Sequence, residues 1–470
     1  MKTKLVSITC IILLAAVSFS CDSWLDIEVK SVMTGDRFWK SESDFMPYLY
    51  GIYNRYRVHM DNLEITEDRG EMWTQGGNDR FSSYHAQVIS EGQTIDWTGW
   101  YTTIGHCNFL LYQMENFDFS DQTLKRQVSA ETHALRAAVY FELAKIFGDV
   151  PLVLTPTLSE KEPLYARSPV AEVFVQINND INEALSLMTS DGYVDKYRFS
   201  KPAVYALQAD VKMWSASVLS GGERDYLDAI NAINQVESSG VALLPNYANI
   251  FDNRRNNEIV LSVYLNREEY TSSRYNYSFP AGTVANVPTS SQGQGAYCLS
   301  FSAVELFDAY PADRRIPRTF VAEFRSGEFY RYWPTKFWGT VYSGNVRSAD
   351  SDIIIYRLSN LYLLKAEAYA ALNRTAESLE YLNKVRTRAG IPAFTDTNPA
   401  VLKKEILDEL GREMMHELKR WWDLRRAHAT GVIDIYTFIP SYEGKTTPFY
   451  WAVHRTVMAK NELLVQTAGY

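Results

Sequence analysis

The runs "LSNLYLLKAEAYAALN" (358–373) and "TAESLEYLNKVRTRAG" (375–390) lie almost end to end and follow the same pattern. Tyr362, Ala366 and Tyr369 fall on one side of the first run, and Ser378, Leu382 and Val385 on one side of the second. Spacing of three and four residues is the period of a helix with one buried face. Small residues among large ones let two such helices approach closely, as in a tetratricopeptide repeat of about 34 residues. The pair predicts a helical hairpin.

Working outward, the same pattern recurs. "ETHALRAAVYFELAKIFGDVPLV" (131–153) carries Leu135, Val139, Leu143 and Phe147 on one face, with Gly148 and Pro151 to end it. "PVAEVFVQINNDINEALSLM" (169–188) aligns Val173, Ile177, Ile181, Leu185 and Met188. "KPAVYALQADVKMWSASVL" (201–219) leads through "SGGERD" to "YLDAINAINQVESSG" (226–240). A last long helix is expected from about Ala400 to Ala427. Helical repeats are therefore predicted over about 121–240 and 353–427. Their uneven spacing indicates a repeat-like scaffold carrying insertions and not a regular solenoid. Two loop-rich insertions, about 64–102 and 266–350, are dense in Gly, Ser, Asn and aromatics. Ordered loops of such length are usually functional.

"RWWDLRR" (420–426) ends the last amphipathic run, whose stripe is Leu407, Leu410, Met414, Leu418 and Trp421. Over 405–426 the acids Glu405, Asp408, Glu409, Glu413, Glu417 and Asp423 balance the cations. A surface so balanced repels phosphate, and its arginines are expected to pair with carboxylates and cap the helix's C-terminal end. The segment reads as a structural part. The formal charge of −9 likewise argues against a nucleic-acid binder.

Residues 1–20 read as a signal peptide: "MKTK" is basic, Leu5 to Val17 mostly apolar, and "SFS" precedes Cys21. A cysteine directly after such a run fits a bacterial lipoprotein signal, with Cys21 acylated and the protein anchored to a membrane without spanning it. An ordinary secretory signal fits the same run. Cys107 and Cys298 then remain, as buried free thiols or as one long-range disulfide.

Catalytic signatures are absent from the sequence. There is no GxSxG, HExxH, Walker or dinucleotide motif, and "HELKR" at His416 lacks a second histidine. Neither catalytic residues, nor a metal site, nor a cofactor is expected.

In chain order, several segments resemble the SusD/RagB-like family of outer-membrane nutrient-binding lipoproteins. They are "CDSWLDIE" (21–28), "DRFWKSESDFMPYLYGIY" (36–53), "LRAAVYFELAKIFGDVPLV" (135–153), "SAVELFDAYPADRR" (302–315), the 356–392 pair, "RWWDLRR" and "AKNELLVQTAGY" (459–470). The likeness spans Cys21 to Tyr470. It departs at "TAGY", where Asn-Pro-Gly-Tyr is common, and at "YRLSN" (356–360). The resemblance implies a mainly α, SusD-like fold: a single domain, 21–470, with a TPR-like helical scaffold, long irregular ligand-binding loops and minor β. It implies a non-catalytic lipoprotein on the outer face of the outer membrane. Such a protein captures oligo- or polysaccharide and delivers it to a SusC-like TonB-dependent barrel. The RagB branch implies peptide capture as the alternative.

Sugar recognition needs flat aromatic faces beside amides, carboxylates or guanidinium groups. Trp73 with Asn78, Asp79 and Arg80 in "MWTQGGNDR" (72–80) is the first candidate cluster. Tyr297 in "GQGAYC" (293–298) and Trp333 and Trp338 in "RYWPTKFWG" (331–339) follow, with Tyr275 and Tyr277 behind them.

Overall fold

Local signals set the helix ends. Asp121 accepts hydrogen bonds from the Thr123 and Leu124 amides at 2.9 and 3.0 Å, and Gly148, at φ +73°, closes the same helix. Asn398 caps another in the same way, with Pro399 as its first residue. The computed structural model describes residues 38–77, 82–158, 163–280, 287, 290, 293–343 and 346–470. The expected signal segment and Cys21 lie outside the described residues. The chain divides into the units Met1–Phe45 and Met46–Tyr470. In the first, the Lys40 and Ser41 amides both donate to Asp44 Oδ2.

In chain order the long helices are α1 (Phe45–Met60), α2 (Thr98–Asn116), α3 (Gln122–Phe147), α4 (Val170–Leu187) and α5 (Lys201–Val218). They continue with α6 (Gly222–Ser238), α7 (Leu358–Ala371), α8 (Thr375–Ala389), α9 (Pro399–Met414) and α10 (Arg420–Ala429). Sequential helices pack in pairs, α3 on α4, α5 on α6 and α7 on α8, and α7 also lies against α6 and α9. The α7–α8 pair forms as its spacing requires. Leu363, Ala366 and Ala370 pack on Leu382 and Val385, then on Leu402, Ile406, Leu410 and Met414 of α9. Ser378 Oγ donates to the Ala366 carbonyl at 2.8 Å, the close approach that small residues permit.

The expected helix from Ala400 to Ala427 is two helices. It breaks over Met415–Lys419, where His416 and Leu418 adopt φ of +65° and +62°. The motif therefore opens a helix instead of closing one, and Arg420 stands at its start. Its Nε donates to Glu71 Oε1 at 2.8 Å and its Nη1 to the Leu407 carbonyl. Trp421 and Trp422 are buried, and Arg426 makes two 2.9 Å bonds to Glu367. Arg69 lies over the Trp421 ring and donates to the carbonyls of Phe449 and Pro448, both at 2.8 Å. The expected pairing with carboxylates holds for Arg420 and Arg426; Arg425 instead lies over the Trp214 and Tyr450 rings.

The loop-rich insertions contain strands. β1 (Trp73–Gln75), β3 (Tyr297–Leu299), β4 (Phe320–Arg325) and β5 (Glu328–Pro334) form an antiparallel sheet ordered β1-β3-β5-β4. β2 (Ile259–Val263) pairs with β8 (Ile353–Arg357), and both are buried along their whole length. β6 (Thr340–Tyr342) and β7 (Val346–Ser348) form a separate hairpin. Cys107 and Cys298 are free buried thiols, and burial pushes them up to about 12 and about 11. No helix among the described residues is long and apolar enough to cross a membrane.

Candidate functional site

A cavity of about 1200 Å³ is bordered by α1, the 195–198 segment, the 254–255 turn, β2 and the β6 end of the hairpin. Tyr50 and Tyr53 reach it from one side of α1, three residues apart, as the helical period requires. Tyr197 and Tyr264 face it from the other side, with their rings 5.1 Å apart. Tyr342 closes one end. A second cavity of about 290 Å³ adjoins the first, sharing Arg254, Arg255, Ser262 and Thr340, and Trp338 lines it.

Three of these tyrosines spend their hydroxyls on the protein. Tyr53 donates to Glu131 at 2.8 Å, Tyr197 to Asp352 at 2.7 Å and Tyr342 to Asp350 at 2.8 Å. Guanidinium groups attend the rings: Arg198 at Tyr50, Arg254 at Tyr264, Arg255 at Tyr197 and Arg267 at Tyr342, from 4.3 to 5.5 Å. Tyr50 is 49% exposed and Tyr264 39%, so open aromatic surface remains. Burial works against the Arg254 charge, but Asp352, Tyr197 and Asp350 together outweigh it and hold the guanidinium above its ordinary value. Burial raises the Asp352 carboxyl despite Arg254 and the Tyr197 hydroxyl.

Three buried polar atoms in these walls have no hydrogen-bond partner: Ser262 Oγ, Arg57 Nε and Arg318 Nε. Aromatic faces beside guanidinium and carboxylate groups form a surface suited to a polyhydroxylated molecule. Among the described residues, no group of three or more His, Cys, Asp or Glu is placed to hold a metal ion.

The residues singled out from sequence fall differently. Trp73 and Tyr297 are each 1% exposed and Trp333 is 2% exposed, so none offers a ring face to a sugar. Trp73 packs edge-on against His416 and Tyr297. The Tyr297 hydroxyl donates to Asp68 Oδ2 at 2.9 Å, and burial pushes Asp68 up to about 7. Trp333 donates its indole N–H to Glu323 at 2.6 Å. Register places Trp73 and Tyr297 on one side of the four-stranded sheet and Trp333 on the other, and all three are buried. Tyr275 is likewise buried, stacked on Phe337. Asn78, Asp79 and Arg80 lie outside the described residues. Trp338 is the candidate that reaches a cavity; it is 39% exposed, with the Arg318 guanidinium 4.5 Å from its ring. Tyr50, Tyr53, Tyr197 and Tyr264 were not anticipated: Tyr50 and Tyr53, at helical spacing, look the same as a core stripe, and Tyr197 and Tyr264 stand outside the two loop-rich insertions.

Known proteins were compared with this chain. The SusD family model matches residues 322–470, and a second model, described as starch-binding associating with outer membrane, matches residues 23–213. A SusD-like protein of Formosa agariphila is 25% identical, covering 91% of this chain and 92% of its own length. The structure of a SusD superfamily protein from Bacteroides fragilis superposes with a TM-score of 0.79 at 25% identity, covering 92% of this chain and all of that one. A laminarin-binding SusD-like protein gives a TM-score of 0.76 at 21% identity, covering 92% of this chain and all of its own. Both ends of the chain, and its mainly α fold, are SusD-like.

Proposed function

We propose that this SusD-like chain is a cell-surface binding protein that captures an oligo- or polysaccharide in the tyrosine-lined cavity. It delivers that glycan to a SusC-like TonB-dependent barrel and catalyses no reaction itself. A lipid on Cys21 tethers it to the outer membrane, facing outward. One observation carries the reading: the open tyrosine surface of Tyr50 and Tyr264 lies among charged side chains around one cavity of about 1200 Å³. The starch-binding description of the N-terminal family model and the laminarin-binding structural relative support it.

The test is affinity electrophoresis of the full chain in mild detergent through gels that contain a panel of polysaccharides. Retardation by at least one of them, lost in Tyr50→Ala or Tyr264→Ala, is the expected result. Release of reducing ends from the retained polymer would instead make the protein an enzyme. Peptide capture is the second reading, favoured by the opposite charges of Arg255 and Glu269 around one cavity. Protection of 254–269 from hydrogen exchange by a peptide mixture, with no glycan protecting it, would establish that reading in place of the first.

A further inference from the structure

The cations around the two cavities are not equivalent. Arg57 donates to Glu269 at 3.1 Å, Arg198 to Glu131 at 2.6 Å, and Arg254 stands 3.0 Å from Asp352. Each of these charges already has a close acid. The acids of the larger cavity are spent as well. Glu269 holds Arg57, Asp350 accepts from the Thr340 amide and the Tyr342 hydroxyl, and Asp195 Oδ1 accepts from the Tyr197 amide.

In the smaller cavity Arg318 pairs with Asp252, and Arg347 donates to the Trp338 carbonyl. Arg255 is the exception. Its guanidinium forms no hydrogen bond within the described residues, and its ion-pair contact there, Asp195 Oδ2, stands 3.8 Å away. Its side chain is 58% exposed, and it lines both cavities, on the ridge between them. The backbone holds it there in the left-handed region, at φ +53°. An L side chain adopts that conformation only when its surroundings impose it. Here they do: Arg254 is tied to the Leu265 and Asp350 carbonyls, both at 2.7 Å. On the other side, the Asn256 amide donates to the carbonyls of Ile250 and Asn253. The turn is pinned on both sides of Arg255, and the guanidinium between them is left presented. Nearby, the Lys196 ammonium is held by the carbonyls of Asn256 and Ile259, without a carboxylate in contact, and adds positive charge behind the same turn.

We propose that the ligand is an acidic glycan, and that Arg255 receives its carboxylate or sulfate while the tyrosines carry the sugar rings. This rests on the glycan reading above and makes Arg255 a residue that determines specificity. A guanidinium fork matches the planar carboxylate and the sulfate oxygens, and in a cavity partly shielded from water such a bond is stronger than on an open surface.

The experiment separates charge from backbone. The full chain, in mild detergent, is run against polygalacturonate and its methyl ester, and against dextran sulfate and dextran. The wild type is expected to bind one acidic polymer about tenfold more tightly than its uncharged counterpart, the worth of one charge-assisted hydrogen bond. Arg255→Asn, which accepts the left-handed backbone, is expected to abolish that preference, and Arg255→Lys to keep part of it. Which acidic polymer is preferred tells carboxylate from sulfate. Equal binding of charged and uncharged polymers, or a preference that survives in Arg255→Asn, overturns the inference and leaves the glycan reading standing. Binding of none of the polymers, neutral ones included, overturns both.

Discussion

Arg315 Nη1 donates to Glu409 Oε1 at 2.6 Å across 94 residues of chain, and neither side chain has any exposed surface. The same guanidinium meets Asp313 at 2.7 Å and Glu413 at 2.9 Å, so one cation answers three buried acids. Removing one member of such a network leaves charges buried without compensation, which costs about 3–5 kcal/mol. Arg315→Met is therefore expected to lower the free energy of unfolding, measured by urea titration, by that amount with the slope unchanged. A fall below 1 kcal/mol would mean that Arg357, Arg386, Arg388 and Arg412 suffice without it.

Two groups of carboxyls shape the pH dependence in opposite directions. Burial alone would raise Glu409, Glu413 and Glu417, but the arginines beside them, with Lys336 at Glu417, hold all three below the ordinary range. Their stabilisation is present above the unfolded value, near 4.5, and is lost as pH falls through the lower folded values. Burial instead pushes Glu67 up to about 8 and Asp68 up to about 7. The folded state then holds protons that the unfolded state has released, so stability falls as pH rises from about 4.5 towards 8. Thermal midpoints measured across this range should peak on its acid side. Glu67→Gln should flatten this decline by about 1.4 kcal/mol per pH unit between the unfolded and folded values of Glu67.

Aromatic substitutions should divide into two classes. Tyr50→Ala and Tyr264→Ala remove exposed rings and are expected to weaken glycan binding about tenfold with little change in the melting temperature. Trp73→Ala and Trp333→Ala empty buried volume and should cost about 3–5 kcal/mol of stability. Calorimetry of the four variants beside their affinities checks the division. A stable Trp73→Ala protein that binds no glycan would reverse it.

Gly339 holds the start of the β6–β7 hairpin at φ +61°, and a Cβ there would lie 1.9 Å from the Ser348 carbonyl oxygen. Backbone cannot yield as a side-chain tip does, so Gly339→Ala should shift the hairpin and move Trp338 and Tyr342 with it. Loss of glycan affinity, with about 1–3 kcal/mol of stability, is the expected outcome. Hydrogen exchange over 338–348, compared with that of the unsubstituted chain, would report the displacement.

What could be read from sequence was the local part. Ala366 against Ser378, and the stripe from Leu135 to Phe147, announce themselves through helical period and small-residue placement, and both pack as the pattern requires. The break at Met415–Lys419 does not, because Leu410, Met414, Leu418 and Trp421 keep helical spacing across it. Tertiary contacts impose the positive φ of His416 and Leu418. Trp73 and Tyr297 looked like loop aromatics for a related reason. The strands that bury them pair across more than two hundred residues, and no local window contains such a pairing. Trp338, which stands between strands and not within one, stays 39% exposed and lines the smaller cavity.

The bonds from Arg420 to Glu71 and from Arg69 to the Phe449 carbonyl span 349 and 380 positions, so they set an order of events. A chain that emerges N-terminus first exposes Arg69 and Glu71 long before their partners exist. Helical pairs such as α3–α4 can form on emergence, whereas these two charges wait, unanswered, for the final segment. The C-terminal stretch is thus a latch that closes last. A chain cut short before it would keep its helices and remain open to proteases at the very site where the intact protein is most tightly sealed.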